Sequence, residues 1–596
     1  MGTERAPRYR LVLLSLSVLA LAALPAAPKA GKVREAQPRR PGQVMDWTSR
    51  HILYPQGTSL RALRLSQRDP RAYWNYLKIV QAANAARTQA SEGVETRPAG
   101  AVQLRHEGVY EGSDVNGRGD DTRFGRIQPP KQPKLPMRPH ADWSLPLGAA
   151  GLAQDMYPAK FSFDVNAAPD CTNDYVVYTL DTAPSATQAN IVAFNNLYSG
   201  STGGTGICGP GTATVMWAYQ VSTAALPTSP IISLDGTKVA FVDGANPAVF
   251  HVLTWTAGEG SVFAPNTPTP SEIVDVTLTG ATTDTFSSPF IDYYADTAYV
   301  ASDNGKLYKI TGVFKGTPAL AASPWPRRVG FSAPNLTSPV IDFSTGEIFL
   351  GSTDGNLYAF TKGGAQLFPI TIGDGSATGG IVDAPVVDGV NGLLYVATGT
   401  DFTLTANATL TQVSTASFSP LQVTPIGDSG AAPIHSGAFN DAYFSSMTNT
   451  DWFFYVCGAA SGGSTPVLYR VGFDATRTML SAVDAASVSL SANNGEQCSP
   501  MTELNNGVDR IFLGLLTSAQ VEFFDISTNS TPTLGGTGSV APVSEASGTS
   551  GIIIDNLSAA NQASSIYFST LGGSPNCMVA GINQRCAVKL TQAALQ

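Results

Sequence analysis

The sequence predicts an all-β fold: an eight-bladed β-propeller of four-stranded blades behind a small helical and unstructured N-terminal extension. Three observations predict it. The stretch Thr337–Gly364, TSPVIDFSTGEIFLGSTDGNLYAFTKGG, recurs in altered form along the chain. Each copy follows one further apolar or aromatic stretch, which makes four strands per unit. The two ends of the array are each incomplete in a way that the other end can complete. Seven blades is the alternative count.

Within Thr337–Gly364 the apolar cores are Val340-Ile341, Ile348-Phe349-Leu350 and Leu357-Tyr358-Ala359-Phe360. Asp354-Gly355 separates the last two, and Asp-Gly between apolar runs marks a hairpin because the turn needs positive φ. So short a ribbon cannot bury its faces alone and needs copies to pack against. The copies align on residues 158, 230, 289, 339, 385, 433, 500 and 551, about 56 residues apart on average. The clearest are Ser287–Tyr308 and Asp383–Val396. Thr228–Val242 is fair, and those at Tyr157-Pro158, Ala432-Pro433-Ile434, Ser499-Pro500 and Ser550-Gly551 are faint. The fourth strands are Met216–Tyr219 before the second anchor, Trp325 before the fourth and Leu367–Ile370 before the fifth. After the last anchor only three strands remain, near Ile552–Ile554, Ser565–Ser569 and Ala587–Leu590. The stretch Asp142–Pro146 stands alone before the first unit, so it is expected to complete the last blade and close the ring.

The organisation before residue 141 is different. Arg5, Arg8 and Arg10, the apolar run Leu11–Leu24 and the small residues Ala26, Ala27 and Ala30 read as a cleaved export signal over residues 1–27. Residues 28–140 form an extension. Residues 31–45 are polar and expected to be without structure. Asp69 as a cap and Pro70 at the first position predict a helix near 70–88, with a weaker one near 58–66. Residues 90–140 read as a linker or an extended wrap. The propeller is expected over 141–596. Residues 1–140 hold 23 Lys and Arg against 11 Asp and Glu, whereas the remainder holds 13 against 34. An acidic main body argues against nucleic acid as a partner.

The repeat pattern Ser-Pro-x-x-Asp, an aromatic-apolar strand ending in Gly/Ala-Ser, then Asp/Asn-Gly and Leu-Tyr, seen in Ser287–Ile310 and Thr337–Phe360, resembles the repeats of the quinoprotein (PQQ-like) β-propeller superfamily. That resemblance implies an eight-bladed ring, and the superfamily holds both alcohol dehydrogenases and non-enzymatic outer-membrane assembly scaffolds. The neighbouring-cysteine disulfide and the Trp-docking repeat of its dehydrogenases are missing here, so no residue carries over as catalytic.

Six cysteines in an exported chain imply disulfides, and six allow 15 connectivities. In a ring of four-stranded blades, Cys171 and Cys208 fall in loops on one face, Cys457 and Cys498 lie on the other, and Cys577 and Cys586 share one loop. The sequential pairs Cys171–Cys208, Cys457–Cys498 and Cys577–Cys586 are therefore expected.

The search for chemistry returns little. Arg118-Gly119-Asp120 is a chance-sized match to an adhesion tripeptide. Asp114, Asn116, Asp120 and Asp121 lack the downstream Glu of a calcium loop. Gly427–Pro433, GDSGAAP, resembles the nucleophile segment of trypsin-like proteases, but it coincides with a repeat anchor and no positioned base accompanies it. His251 and His435 read as packing or surface residues. Asp292, Asp342 and Asp388 recur once per blade, which points to a structural task.

No catalytic, cofactor-binding or metal-binding residue and no cofactor is assigned. The expectation is an exported, monomeric, non-catalytic propeller that binds or scaffolds a protein or glycan of the cell envelope. It would be secreted, periplasmic or on the cell surface, with no transmembrane span after signal cleavage. Its contact face would carry the loops 402–431 and 436–451. The alternative is a quinone- or metal-dependent oxidoreductase, or a hydrolase, with its site at the central channel.

Overall fold

A computed structural model describes residues 43–53, the single positions 63, 69 and 71, and 139–592 apart from short stretches in loops and at some strand ends. The expected signal, the bodies of the helices near 58–66 and 70–88, Arg118-Gly119-Asp120 and the acids around Asp114 lie outside the described residues.

The chain forms eight antiparallel sheets in sequence order. Blade 4 is the plainest: Val340–Asp342, Glu347–Gly351, Asn356–Phe360 and Ile370–Thr371, paired in that order from the axis outward. Gly355 takes φ +81 in the hairpin between its second and third strands, and a Cβ there would strike Gly373 O at 2.3 Å. Blades 3 and 7 split the fourth strand into two pieces, Ala319–Leu320 with Arg327–Arg328 and Thr533–Leu534 with Val543–Ser544.

The ring closes as the sequence requires. Blade 8 takes Ile553–Asn556, Ser564–Ser569 and Ile582–Gln592 from the C-terminal end, and Pro139–Gly148 supplies its fourth strand. Trp143 pairs with Lys589, is 4% exposed, and donates its indole N–H to Leu197 O of blade 1 at 3.0 Å. The seam between blades 8 and 1 holds two ion pairs that are all but inaccessible to solvent, Lys589–Asp142 at 2.7 Å and Lys160–Asp555 at 2.8 Å. Tyr198 donates to Asp174 at 2.7 Å beside them. Burial lowers the Lys589 pKa, and it raises that of Asp174.

The disulfides are the sequential pairs Cys171–Cys208, Cys457–Cys498 and Cys577–Cys586. The last braces a hairpin, Ser574–Val579 with the start of Ile582–Gln592, that prolongs the second and third strands of blade 8 beyond the ring. Ala580 and Gly581 turn it with positive φ, and Met578 and Ile582 at its tip are 54% and 66% exposed.

Three expectations need correction. Residues 31–45 are not wholly irregular, because Gln43–Met45 is a strand. The stretch 402–431 is mainly two paired strands, Asn407–Ser414 and Ser419–Asp428, and 436–451 contains a strand and two short helical turns rather than one long loop. The anchors also shift. Blade 6 begins its inner strand at Ala438, and blades 7 and 8 begin theirs at Thr502 and Ile553. Counting back from these strands, the residues equivalent to Pro339 are Gly437, Met501 and Ile552, not the positions picked by pattern.

Candidate functional site: the plugged channel

The inner strands all begin on one face of the ring and run down the central channel, so their first residues meet around its mouth. There the Ser-Pro pattern has two mechanical tasks. One hydroxyl caps the second strand of its own blade: Thr228, Ser287, Thr337, Ser499 and Ser550 accept the N–H of Val242, Ala301, Gly351, Gly514 and Ser569. The next residue links blade to blade. Tyr157 N donates to Ser229 Oγ, Ser229 N to Ser288 Oγ, and Ser288 N to Ser338 Oγ, at 2.8–3.0 Å. These bonds satisfy backbone groups that would otherwise be buried without partners.

The recurring acids act one turn lower. Asp292, Asp342 and Asp388 accept the backbone N–H of Ala295, Ser344 and Val390. Two of them also reach the next blade, Asp292 to Lys362 at 2.7 Å and Asp388 to the Tyr443 hydroxyl at 2.9 Å. The structural task expected of them is what they perform.

The channel itself is filled by the chain's own residues 43–53. Gln43–Met45 adds to the inner edge of blade 1, antiparallel to Ala159–Ser162. One helical turn, Thr48–His51, follows. Ile52 then pairs in parallel with Val387 of blade 5, and Leu53 N donates to Val387 O at 2.9 Å. Given these directions, the segment rises along blade 1, turns beneath the mouth, and descends along blade 5 on the opposite side of the ring. Asp46 starts the helical turn by accepting Thr48 N at 2.9 Å. Arg71 binds Asp46 and Asp69 and lies over the Tyr293 ring, which ties the extension to the ring a second time. Asp69 accepts Arg71 N at 2.8 Å, as the expected cap would.

Three side chains of the plug read the mouth. Trp47, 2% exposed, donates to Pro289 O at 3.1 Å and meets Phe290 edge-on. Arg50 donates to the Tyr157 hydroxyl and to Ser436 O, and lies 3.9 Å from Asp383. His51, 0% exposed, contacts Pro385 O at 3.3 Å through Nδ1 and Asp383 at 3.6 Å through Nε2. Burial lowers the His51 pKa to about 4 against the pull of Asp383. The imidazole is therefore neutral at pH 7, and Nδ1 is the donor to Pro385 O. Burial pushes the Asp383 carboxyl up, but His51, Arg50 and His435 together outweigh it and hold the group below the carboxylate range. Ser436 N also donates to Asp383, at 3.0 Å. His435 lies 3.3 Å from Asp155, whose carboxyl is raised by burial.

The two array histidines separate. His435 reaches the channel mouth and also lines a solvent-open cleft of about 370 Å³ with Asp428, Glu496 and the Cys457–Cys498 bridge. His251 is a packing residue of blade 2, held between Asp243 at 3.1 Å and Asp275 at 2.8 Å. Burial opposes its charge, but the two carboxylates raise its pKa. Of the GDSGAAP segment, Gly427 and Asp428 end the outer strand of blade 5, Asp428 accepts Gly462 N at 2.6 Å, and residues 430–432 lie outside the described residues. Among the described residues, no group of three or more His, Cys, Asp or Glu could hold a metal ion. No helix among them is long and apolar enough to cross a membrane. Sequence reasoning missed Trp47, Arg50, His51 and Asp383. Asp46-Trp47-Thr48-Ser49, a helix-start signal beside a Trp, is the pattern that marks the first three.

No protein-family model matches the chain, and no curated protein does. Solved structures do. BamB from Moraxella catarrhalis is similar at 13% identity and a TM-score of 0.42, covering 76% of this chain and all of that one. A putative 6-phosphogluconolactonase from Bacteroides uniformis ATCC 8492 is similar at 13% identity and a TM-score of 0.38, covering 63% and 97%. The dihydro-heme d1 dehydrogenase NirN in complex with DHE is similar at 11% and 0.39, covering 70% and 81%.

Proposed function

We propose that this is an exported, non-catalytic propeller that binds or scaffolds a protein of the cell envelope or extracellular space. The observation that carries the reading is the filled channel. A central small-molecule site is what the oxidoreductase or hydrolase alternative needs, and Trp47, Arg50 and His51 occupy that space. Three disulfides support an oxidising compartment. The disulfide-braced hairpin of blade 8 supports a protein partner, because Met578 and Ile582 offer exposed apolar contact area on a rigid support. The export signal over residues 1–27, the monomeric state and kinship with the PQQ-like repeat superfamily are parts of the same reading.

The test uses the secreted, purified protein. The expected results are no visible absorbance, no stoichiometric metal, and saturable capture of an envelope protein that is lost in Met578→Asp/Ile582→Asp. A bound chromophore, or a metal at one per chain, would return the alternative to first place.

A further inference from the structure

The plug is surplus to the ring. Every blade has its inner, two middle and outer strand positions filled without it, and Pro139–Gly148 performs the closure. Gln43–Met45 is an additional strand on an inner edge that a four-stranded blade leaves open. We propose that the channel is a peptide-binding site and that residues 43–53 are its tethered ligand. The same site then accepts, from another chain, an extended peptide carrying a Trp followed by an Arg-His pair.

Three observations support this. First, the segment is held as peptides are held by open sheet edges. Backbone pairing on blades 1 and 5 sets direction and register, and side-chain contacts give selectivity. Second, the selectivity is concentrated. Pro289 O and Phe290 read Trp47, and Asp383, Tyr157 and Ser436 read the Arg-His pair. Third, the fit in cis is incomplete. Among the described residues, Gln43 Oε1, Arg50 Nε, His51 Nε2 and both ring nitrogens of His435 are buried without a hydrogen-bond partner. A peptide with better-matched flanks would therefore gain contacts on replacing the segment. Pro139–Gly148 closes the ring without the segment, whose release has to break the Arg71–Asp46 pair as well. Tethering gives the cis segment an effective concentration on the order of 1 mM, which a free competitor has to match. The proposal goes beyond the scaffold reading, whose partner contact is the blade 8 hairpin. Loss of hairpin-dependent capture leaves it standing, and the reverse holds too.

The experiment titrates full-length mature protein with a fluorescein-labelled synthetic peptide of residues 43–53 and follows anisotropy. The protein variant Trp47→Ala/Arg50→Ala should bind the peptide at least tenfold more tightly than wild type. A scrambled peptide, or one lacking the Arg, should lose that gain, as should Asp383→Asn added to the variant. Should the double variant not fold, wild type is tested with the peptide at about 1 mM, carrying a photoreactive benzophenone at the Trp position. Labelling is then expected near Pro289-Phe290. Dimers that form with rising concentration would assign the natural donor to a second copy, and peptide binding by a strict monomer would assign it to a partner protein. No binding to a folded double variant, equal binding of the scrambled peptide, or no labelling of wild type overturns the proposal.

Discussion

Acid should loosen the plug, and His51 sets the size of the effect. The imidazole is completely buried, and its pKa is lowered from 6.5 to about 4, with burial the largest cause. A released segment binds its proton below pH 6.5, whereas the docked one does so only below about 4. The stabilisation of the docked state is therefore whole above pH 6.5 and drains away as the pH falls towards 4. At pH 4.5 the loss is about 2.5 kcal/mol, roughly a 70-fold shift towards release. Of the charged groups around His51, Arg50 and Asp383 act in the same sense. Arg50 repels the imidazolium. Asp383 is held below its ordinary range, so it stays ionised at pH 4.5, and its protonation removes a partner of Arg50 only in stronger acid. Asp155, which faces His435 and also feels the Arg50 charge, has a raised pKa and responds in the opposite sense, so it offsets part of the loss. Hydrogen exchange read on residues 43–53 and on Ala159–Ser162, corrected for the intrinsic rate, measures the shift directly. His51→Asn supplies a donor towards Pro385 O without a titrating ring and should abolish the acid response. Protection that changes less than twofold between pH 7 and 4.5, or an equal acid response in His51→Asn, would refute the argument.

Other perturbations separate the remaining parts of the fold. Asp142→Ala withdraws the carboxylate facing Lys589 in a seam without solvent and should cost about 3–5 kcal/mol. The volume-matched pair Asp142→Leu/Lys589→Met should lose much less than the two single changes summed, as urea midpoints will show. Glu522 is held protonated to about 7 by burial and by Glu496. Its unfolded form ionises nearer 4.5, so stability falls as the pH rises between those values. Glu522→Gln should then stabilise blade 7 by about 2 kcal/mol at pH 8 and leave pH 4 unchanged in denaturation curves. Removing Cys457–Cys498, which spans 41 residues, should cost about 4 kcal/mol, against about 3 for Cys577–Cys586, which spans 9. Equal losses for the two double-Ala variants would point away from unfolded-chain entropy as the cause.

The ring was legible in the sequence because its signals are local and repeated. Each hairpin carries its own turn residues and two-residue alternation, and closure follows from counting strands at the two ends. The faint copies misplaced three anchors for a physical reason. In blade 7 the capping hydroxyl is Ser499, next to a proline that mimics the usual Ser-Pro order one position early. In blade 6 Pro433 stands four residues before its true equivalent, Gly437, where a Cβ would meet Tyr455 O at 1.9 Å. The plug was not legible because nothing in Gln43–Leu53 repeats. Its strand is three residues long, its helix is one turn, and both exist only because distant blades supply their partners. Asp383 and His435 were invisible as a pair for the same reason, since ring topology, not spacing, brings them together.

The blades where the repeat fails are the ones that hold Arg50. In five blades the residue three places before the inner strand is a hydroxyl that caps the second strand. Blades 1, 5 and 6 instead carry Met156, Asp383 and His435 there. Those three blades also supply the three contacts of Arg50, through Tyr157, Asp383 and Ser436. A ring selected only for closure gains from Asp383 the bond from Ser436 N, but it loses the capping hydroxyl and takes on the desolvation penalty of a buried charge. A ring whose channel has to hold an arginine does gain, because Asp383 supplies the counter-charge that the hydroxyl lacks. Asp383→Ser therefore discriminates between the two demands. It should restore the repeat's own cap, leaving the urea midpoint of the ring within about 1 kcal/mol of wild type, while exchange protection of residues 43–53 falls at least tenfold. A ring that loses stability with the plug still protected would mean that Asp383 serves the blade and not the segment beneath it.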